Sequence, residues 1–184
     1  MTLKNILTEA VLVVIMMIGL LFSGIIYPAT ADVTTDGTCS DAANMTKFGT
    51  IYRQWNLGQT DHFYSNNATE TAVGYTAEPS PGALINSMVP GTIPLYRYYS
   101  SSLSDHFYST SSDIPDTYVS EGIVGYIFVS PVLGSKPLYR LYKQNSSNPA
   151  NGDHLYTSEI TDRDAATQYY GYNYEGIEGY VCSN

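Results

Sequence analysis

From residue 48 onward the apolar positions come in short clusters and never in a long stripe. Runs such as Ile51-Tyr52-Arg53-Gln54-Trp55 and Asp105-His106-Phe107-Tyr108 alternate with clusters of Ser, Asn, Gly and Pro. That punctuation predicts strands joined by turns. No long amphipathic helix is visible. Asp162 to Tyr169 predicts a brief helical turn, and residues 113–118 a shorter one.

The start of the chain follows a different pattern. Lys4 precedes a nearly unbroken apolar run from Ala10 to Ile26, and Ala29-Thr30-Ala31 then offers small residues in the spacing that signal peptidase reads. Residues 1–31 are therefore expected to be a secretory signal peptide, cleaved before Asp32. An uncleaved anchor is the competing reading, but Gly19, Gly24 and Pro28 interrupt the run.

The later clusters repeat in one order. Ile51-Tyr52-Arg53-Gln54-Trp55 corresponds to Leu95-Tyr96-Arg97-Tyr98-Tyr99 and to Leu138-Tyr139-Arg140-Leu141-Tyr142, so the arginines recur at intervals of 44 and 43 residues. Each block leads through a polar turn to Asp61-His62-Phe63-Tyr64, Asp105-His106-Phe107-Tyr108 or Asp153-His154-Leu155-Tyr156. A third element carries a glutamate with a glycine four residues later: Glu78 and Gly82, Glu121 and Gly125, Glu175 and Gly179. One such unit cannot bury its apolar face alone, so three copies must share a core. The expected fold is all-β: a pseudo-threefold, β-trefoil-like domain over 48–184, with copies at about 48–92, 93–136 and 137–182 behind an N-terminal arm at 32–47. The alternative is a small propeller-like toroid, whose blades have a similar length but usually number four or more.

Charge and composition narrow the function. The net charge of −9 repels phosphate backbones and anionic lipid, which argues against nucleic acid and, after signal cleavage, against membrane. Two cysteines and three histidines give no cluster with metal-ligand spacing, and nothing points to a cofactor. Cys39 and Cys182 flank the array; bonded in an oxidising compartment, they would close a loop worth on the order of 5 kcal/mol. Asn44-Met45-Thr46, Asn67-Ala68-Thr69 and Asn145-Ser146-Ser147 are sequons that would mark exposed, glycosylated loops in a eukaryotic host.

The order Leu-Tyr-Arg, Asp-His-Phe-Tyr, Glu-Gly-Ile-x-Gly-Tyr resembles a repeat family of unknown function found in secreted microbial proteins, sometimes attached to hydrolases. The resemblance covers residues 51–182. It implies a secreted accessory module with carbohydrate binding as its expected role. The first copy departs from the pattern, with Pro79-Ser80-Pro81 in place of Gly-Ile-x and Ala83 where Tyr126 and Tyr180 stand.

Two accounts of the repeated polar residues follow. If the first two strands of each copy form a hairpin, Arg53 meets Asp61, Arg97 meets Asp105 and Arg140 meets Asp153, as struts beneath an aromatic layer. Alternatively, the set forms shallow sugar sites, in which aromatic faces stack on sugar C–H surfaces and planar polar groups take hydroxyls. The candidate ligand-binding residues are then Arg53, Asp61, His62 and Tyr64; Arg97, Asp105, His106, Tyr108 and Tyr126; and Arg140, Asp153, His154, Tyr156 and Tyr180. The second and third copies are the stronger candidates. Weak sites in three copies would give avidity for glycans or cell-surface glycoconjugates. Tyrosine-rich surfaces that bind protein partners or a second copy of the chain are the alternative. A hydrolase is disfavoured: pairs such as Glu121 with Asp105 or Glu175 with Asp153 would be needed at a fixed gap, and catalytic sites are seldom present in triplicate.

Overall fold

The computed structural model describes residues 38–71, 73–145 and 151–183. The expected signal peptide, the start of the arm, and Ser146 and Ser147 of the third sequon lie outside the described residues. Each expected copy holds a three-stranded antiparallel array. In the first segment, β2 (Tyr52–Asn56) runs between β3 (Asp61–Ser65) and β4 (Thr76–Glu78), while β1 (Phe48–Thr50) pairs with β5 (Ala83–Ile85). In the second, β6 (Thr92–Ser100) runs between β7 (Asp105–Ser109) and β8 (Val119–Phe128). In the third, β9 (Ser135–Gln144) runs between β10 (Gly152–Thr157) and β11 (Asn173–Cys182). The chain is thus predominantly β, as expected, and among the described residues its strands do not close into a barrel.

Two helices complete the described chain. Within the expected arm, α1 (Cys39–Met45) starts at a capping box in which Thr38 and Asp41 satisfy each other's backbone N–H groups. In the third segment, α2 (Ile160–Tyr169) begins two residues before the predicted turn. The helical turn expected at 113–118 does not form. Pro115 offers no backbone donor, and the segment folds into one tight turn closed by the Tyr118 N–H on the Pro115 carbonyl.

The inner strands β3, β7 and β10 are buried throughout and pack against one another. Each lies at the edge of its array, so alternate N–H groups point out of the ladder and need partners. Side chains of the other segments supply them. Tyr64 N–H donates to the Tyr108 hydroxyl, Tyr108 N–H to Tyr156, and Tyr156 N–H to Tyr64, at 2.7–2.8 Å. The same hydroxyls donate onward: Tyr64 to the Tyr156 carbonyl, Tyr156 to Tyr108, and Tyr108 to Tyr64. Every hydroxyl therefore both accepts and donates. The rings meet edge to face with centroids 5.3–5.4 Å apart.

Around the tyrosines the core is built in threes. Leu95 and Leu138 come from strands carrying the arginines and Ile51 immediately precedes β2, the third such strand, while Leu84, Ile127 and Val181 come from the closing strands. The gap left at the centre measures about 10 Å³, too little for more than one water. At one end, Ile85 pairs with Tyr126, Phe128 with Tyr180, and Cys182 with Ala83, joining first segment to second, second to third, and third to first. The recurrent glycines permit that crossing. A Cβ on Gly125 would sit 2.8 Å from Leu84, and one on Gly179 would sit 2.6 Å from Ile127. Over this end lies α1, fixed by the expected Cys39–Cys182 disulfide.

Candidate functional site

The inner strands carry a second set of outward N–H groups, and the aspartates accept them. Asp61 accepts the His106 N–H at 2.9 Å and its ring Nδ1 at 2.6 Å; Asp105 does the same for His154, and Asp153 for His62. The far side of each ring faces the glutamate of its own segment. His62 Nε2 lies 3.3 Å from Glu78, His154 Nε2 lies 3.6 Å from Glu175, and His106 Nε2 lies 3.8 Å from Glu121. Those glutamates also hold the arginines: Arg97 meets Glu121 at 2.8 Å and Arg140 meets Glu175 at 2.9 Å.

The expected pairing of each arginine with its own aspartate is therefore incorrect. In register, Arg53, Arg97 and Arg140 stand opposite Tyr64, Tyr108 and Tyr156, while the aspartates cross to the next segment. Bulges explain the glutamate contacts. The ladder between β6 and β8 skips Glu121 and Val124, and that between β9 and β11 skips Glu175 and Glu178. A bulged residue re-aims its side chain, here onto the arginine. Glycine follows each glutamate at positive φ, at Gly122 and Gly176. In the first segment Pro79 and Pro81 replace that device, and the strand breaks between β4 and β5.

Electrostatics fix the protonation states. Burial alone would push the His62 and His154 rings down, but the Asp153 and Asp105 carboxylates, helped by Glu78 and Glu175, raise both to about 9. Their glutamate partners are correspondingly lowered, chiefly by the histidine hydrogen bond. Each aspartate also accepts a tyrosine hydroxyl: Tyr75 on Asp61, Tyr118 on Asp105 and Tyr172 on Asp153. Burial and the carboxylate beside it push all three phenols up, which keeps them donors.

The three aspartates bring carboxylate oxygens within 4.8 Å of one another. Each is already saturated by a backbone N–H, a histidine ring and a phenol. The group is a set of hydrogen-bonded struts.

This network leaves most candidate ligand residues without an open face. Asp61, Asp105, Asp153, His106, His154, Tyr64, Tyr108 and Tyr156 are all buried. Tyr126 and Tyr180 pack in the cluster around the disulfide. Arg97 is clamped by Glu121 and by Glu70 at 2.8 Å, with Phe63 against its plane at 4.8 Å. Arg140 is clamped by Glu175 and Glu178, with Phe107 at 5.1 Å.

Arg53, His62 and, although buried, Asp153 differ, because they line an open cleft of about 730 Å³ between the first and third segments. Trp55 and Glu78 line it from the first segment, and Lys143, Asp162 and Tyr172 from the third. Sequence reasoning passed over Trp55, Lys143 and Tyr172, yet a signal was present. Arg140 and Asp153 are 13 residues apart where the other copies have 8, and Asp153 and Glu175 are 22 apart where the others have 17 and 16. Described residues of both lengthened stretches border this cleft. The first contributes Asn145, which donates to Thr60 across the segment boundary at 3.1 Å, and the second contains α2.

A family model for a domain of unknown function, DUF5648, matches residues 50–182. The chain belongs to that family. The match takes in both sides of the cleft and Cys182, whereas α1 and Cys39 lie before it. Comparison with curated proteins and with solved structures finds no match.

Proposed function

We propose that this chain is a secreted binding module, and that it takes a carbohydrate in the cleft between its first and third segments. The observation that carries the reading is the convergence there of Asn145 and α2, both from the lengthened stretches of the third segment. The third segment is longer than the other two, and the lengthening borders a cavity of ligand size.

The lining suits sugars. Trp55 and Tyr172 offer flat apolar faces, and Arg53, His62, Glu78 and Asp162 offer planar polar groups around them. The carboxylates at the cleft are engaged with Arg53 or His62, which favours binding over hydrolysis. A disulfide that joins the chain ends fits an oxidising, extracellular setting. Among the described residues no helix is long and apolar enough to cross a membrane.

The architecture is read as a three-unit toroid. Inner strands facing one another, tyrosines bonded in a cycle, and three strand ends linked in rotation all support it.

A glycan array probed with the full chain tests the function. Binding should appear, and Trp55→Ala should weaken it at least tenfold while the circular dichroism spectrum is kept. Absence of glycan signal, or signal indifferent to Trp55→Ala, would overturn the reading.

A further inference from the structure

The internal copies act as templates for one another, and the comparison isolates Arg53. Arg97 and Arg140 each bind two carboxylates at hydrogen-bonding distance. The second comes from Glu70 in one case and Glu178 in the other. Arg53 has Glu78 at 3.1 Å, and its next carboxylate, Asp162, is 3.8 Å away. It is 9 % exposed, and its Nε, although 3.1 Å from Glu78, makes no hydrogen bond among the described residues, and neither does Arg97 Nη1.

Among the described residues no aromatic ring lies over this guanidinium. Phe63 and Phe107 lie on Arg97 and Arg140, whereas the corresponding residue for Arg53 is the smaller Leu155, which lines the cleft. Arg53 is thus a buried cation on the cleft wall whose second carboxylate stands farther off than those of its counterparts.

Resting on the cleft reading above, we infer that the ligand is an acidic saccharide, whose carboxylate takes on Arg53 the place that Glu70 and Glu178 fill on the other two arginines. An arginine fork matches a carboxylate with two parallel hydrogen bonds. Charge at the cleft agrees. Arg53 sits between Glu78 and the half-exposed Asp162, and His62 pairs with Asp153, which leaves Lys143. Lys143 lies 5.5 Å from the Tyr172 ring and has no ion-pair partner among the described residues. An incoming carboxylate gains Arg53 and Lys143 and turns Asp162 out to water. The chain's net charge of −9 repels long polyanions, so the ligand is a short acidic oligosaccharide or the acidic end of a glycan.

Titration calorimetry on the full chain, with four probes, tests this. The probes are trigalacturonic acid, its methyl ester, sialyllactose and lactose. At least one acid should bind ten times or more tighter than its neutral counterpart, and which acid does so identifies the sugar class. Asp162→Asn, an exposed change, should tighten the acid severalfold and leave the neutral probe unchanged. Arg53→Lys should erase the preference. Equal binding of acid and neutral probes, still lost in Trp55→Ala, overturns the acidic ligand and leaves the carbohydrate cleft standing. Binding by none of the four overturns both.

Discussion

The Tyr108 hydroxyl accepts the backbone N–H of Tyr64 at 2.7 Å and donates to the carbonyl of the same residue at 2.8 Å. One phenol thus satisfies both outward backbone groups of a buried edge residue. Tyr108→Phe should fill the same space yet strand a donor and an acceptor, each costing about 1–3 kcal/mol. Urea unfolding should show the midpoint falling with the slope unchanged. A loss below about 0.5 kcal/mol would mean that water reaches these groups.

The histidines set the pH dependence. His62 and His154 are held at about 9 in the folded chain against an ordinary value of 6.5, so folding takes up protons. Their contribution is complete below pH 6.5 and disappears as pH rises through about 9. On the acid side, Glu78 and Glu175 are lowered, so their contribution is lost as pH falls through the carboxylate range. Thermal unfolding between pH 4 and 10 should give a maximum near pH 5–6.5. A flat profile from pH 6.5 to 9 would show the rings to be neutral.

At Gly125 the limit is steric. A methyl group there would lie 2.8 Å from Leu84 Cβ and 3.2 Å from the Ile85 carbonyl, with backbone on one side and core on the other. Gly125→Ala should cost about 1–3 kcal/mol, as overpacking does. Gly122→Ala meets no atom within 4 Å, and only its φ of 105° opposes it. Its cost should be near 1–2 kcal/mol. Stability measured side by side separates the two causes.

Much of the frame was legible from spacing. Strands, turns, the disulfide and the helix in the third segment all follow from residue type and order, because they depend on neighbours or on chain ends. The partners of the aspartates were not. Asp153 and His62 are 91 residues apart, and no periodicity within one hairpin reveals a bond that skips to the next. Glu121 and Glu175 reach their arginines only through bulges, which shift the face that strand alternation assigns. The cleft was written in unequal spacings, a departure from the pattern that had drawn attention to the other residues.

Removing the disulfide should be costly for a reason separate from packing. Cys39 and Cys182 enclose a separation of 143 residues, so a Cys39→Ser, Cys182→Ser double variant should lose on the order of 5 kcal/mol. Scanning calorimetry of oxidised, reduced and double-variant protein should place the last two together and well below the first. Agreement of all three melting temperatures would show that the bond adds nothing.

The tyrosine hydroxyls impose a count. Each serves both backbone groups of one neighbour while its own are served by the other, so two segments leave a donor and an acceptor bare, and a fourth would find no vacancy. A chain shortened by one segment exposes the same bonding edge that the lost segment would have covered. It would regain closure by borrowing that segment from another molecule, which makes truncation a route to intertwined assembly rather than to a smaller monomer.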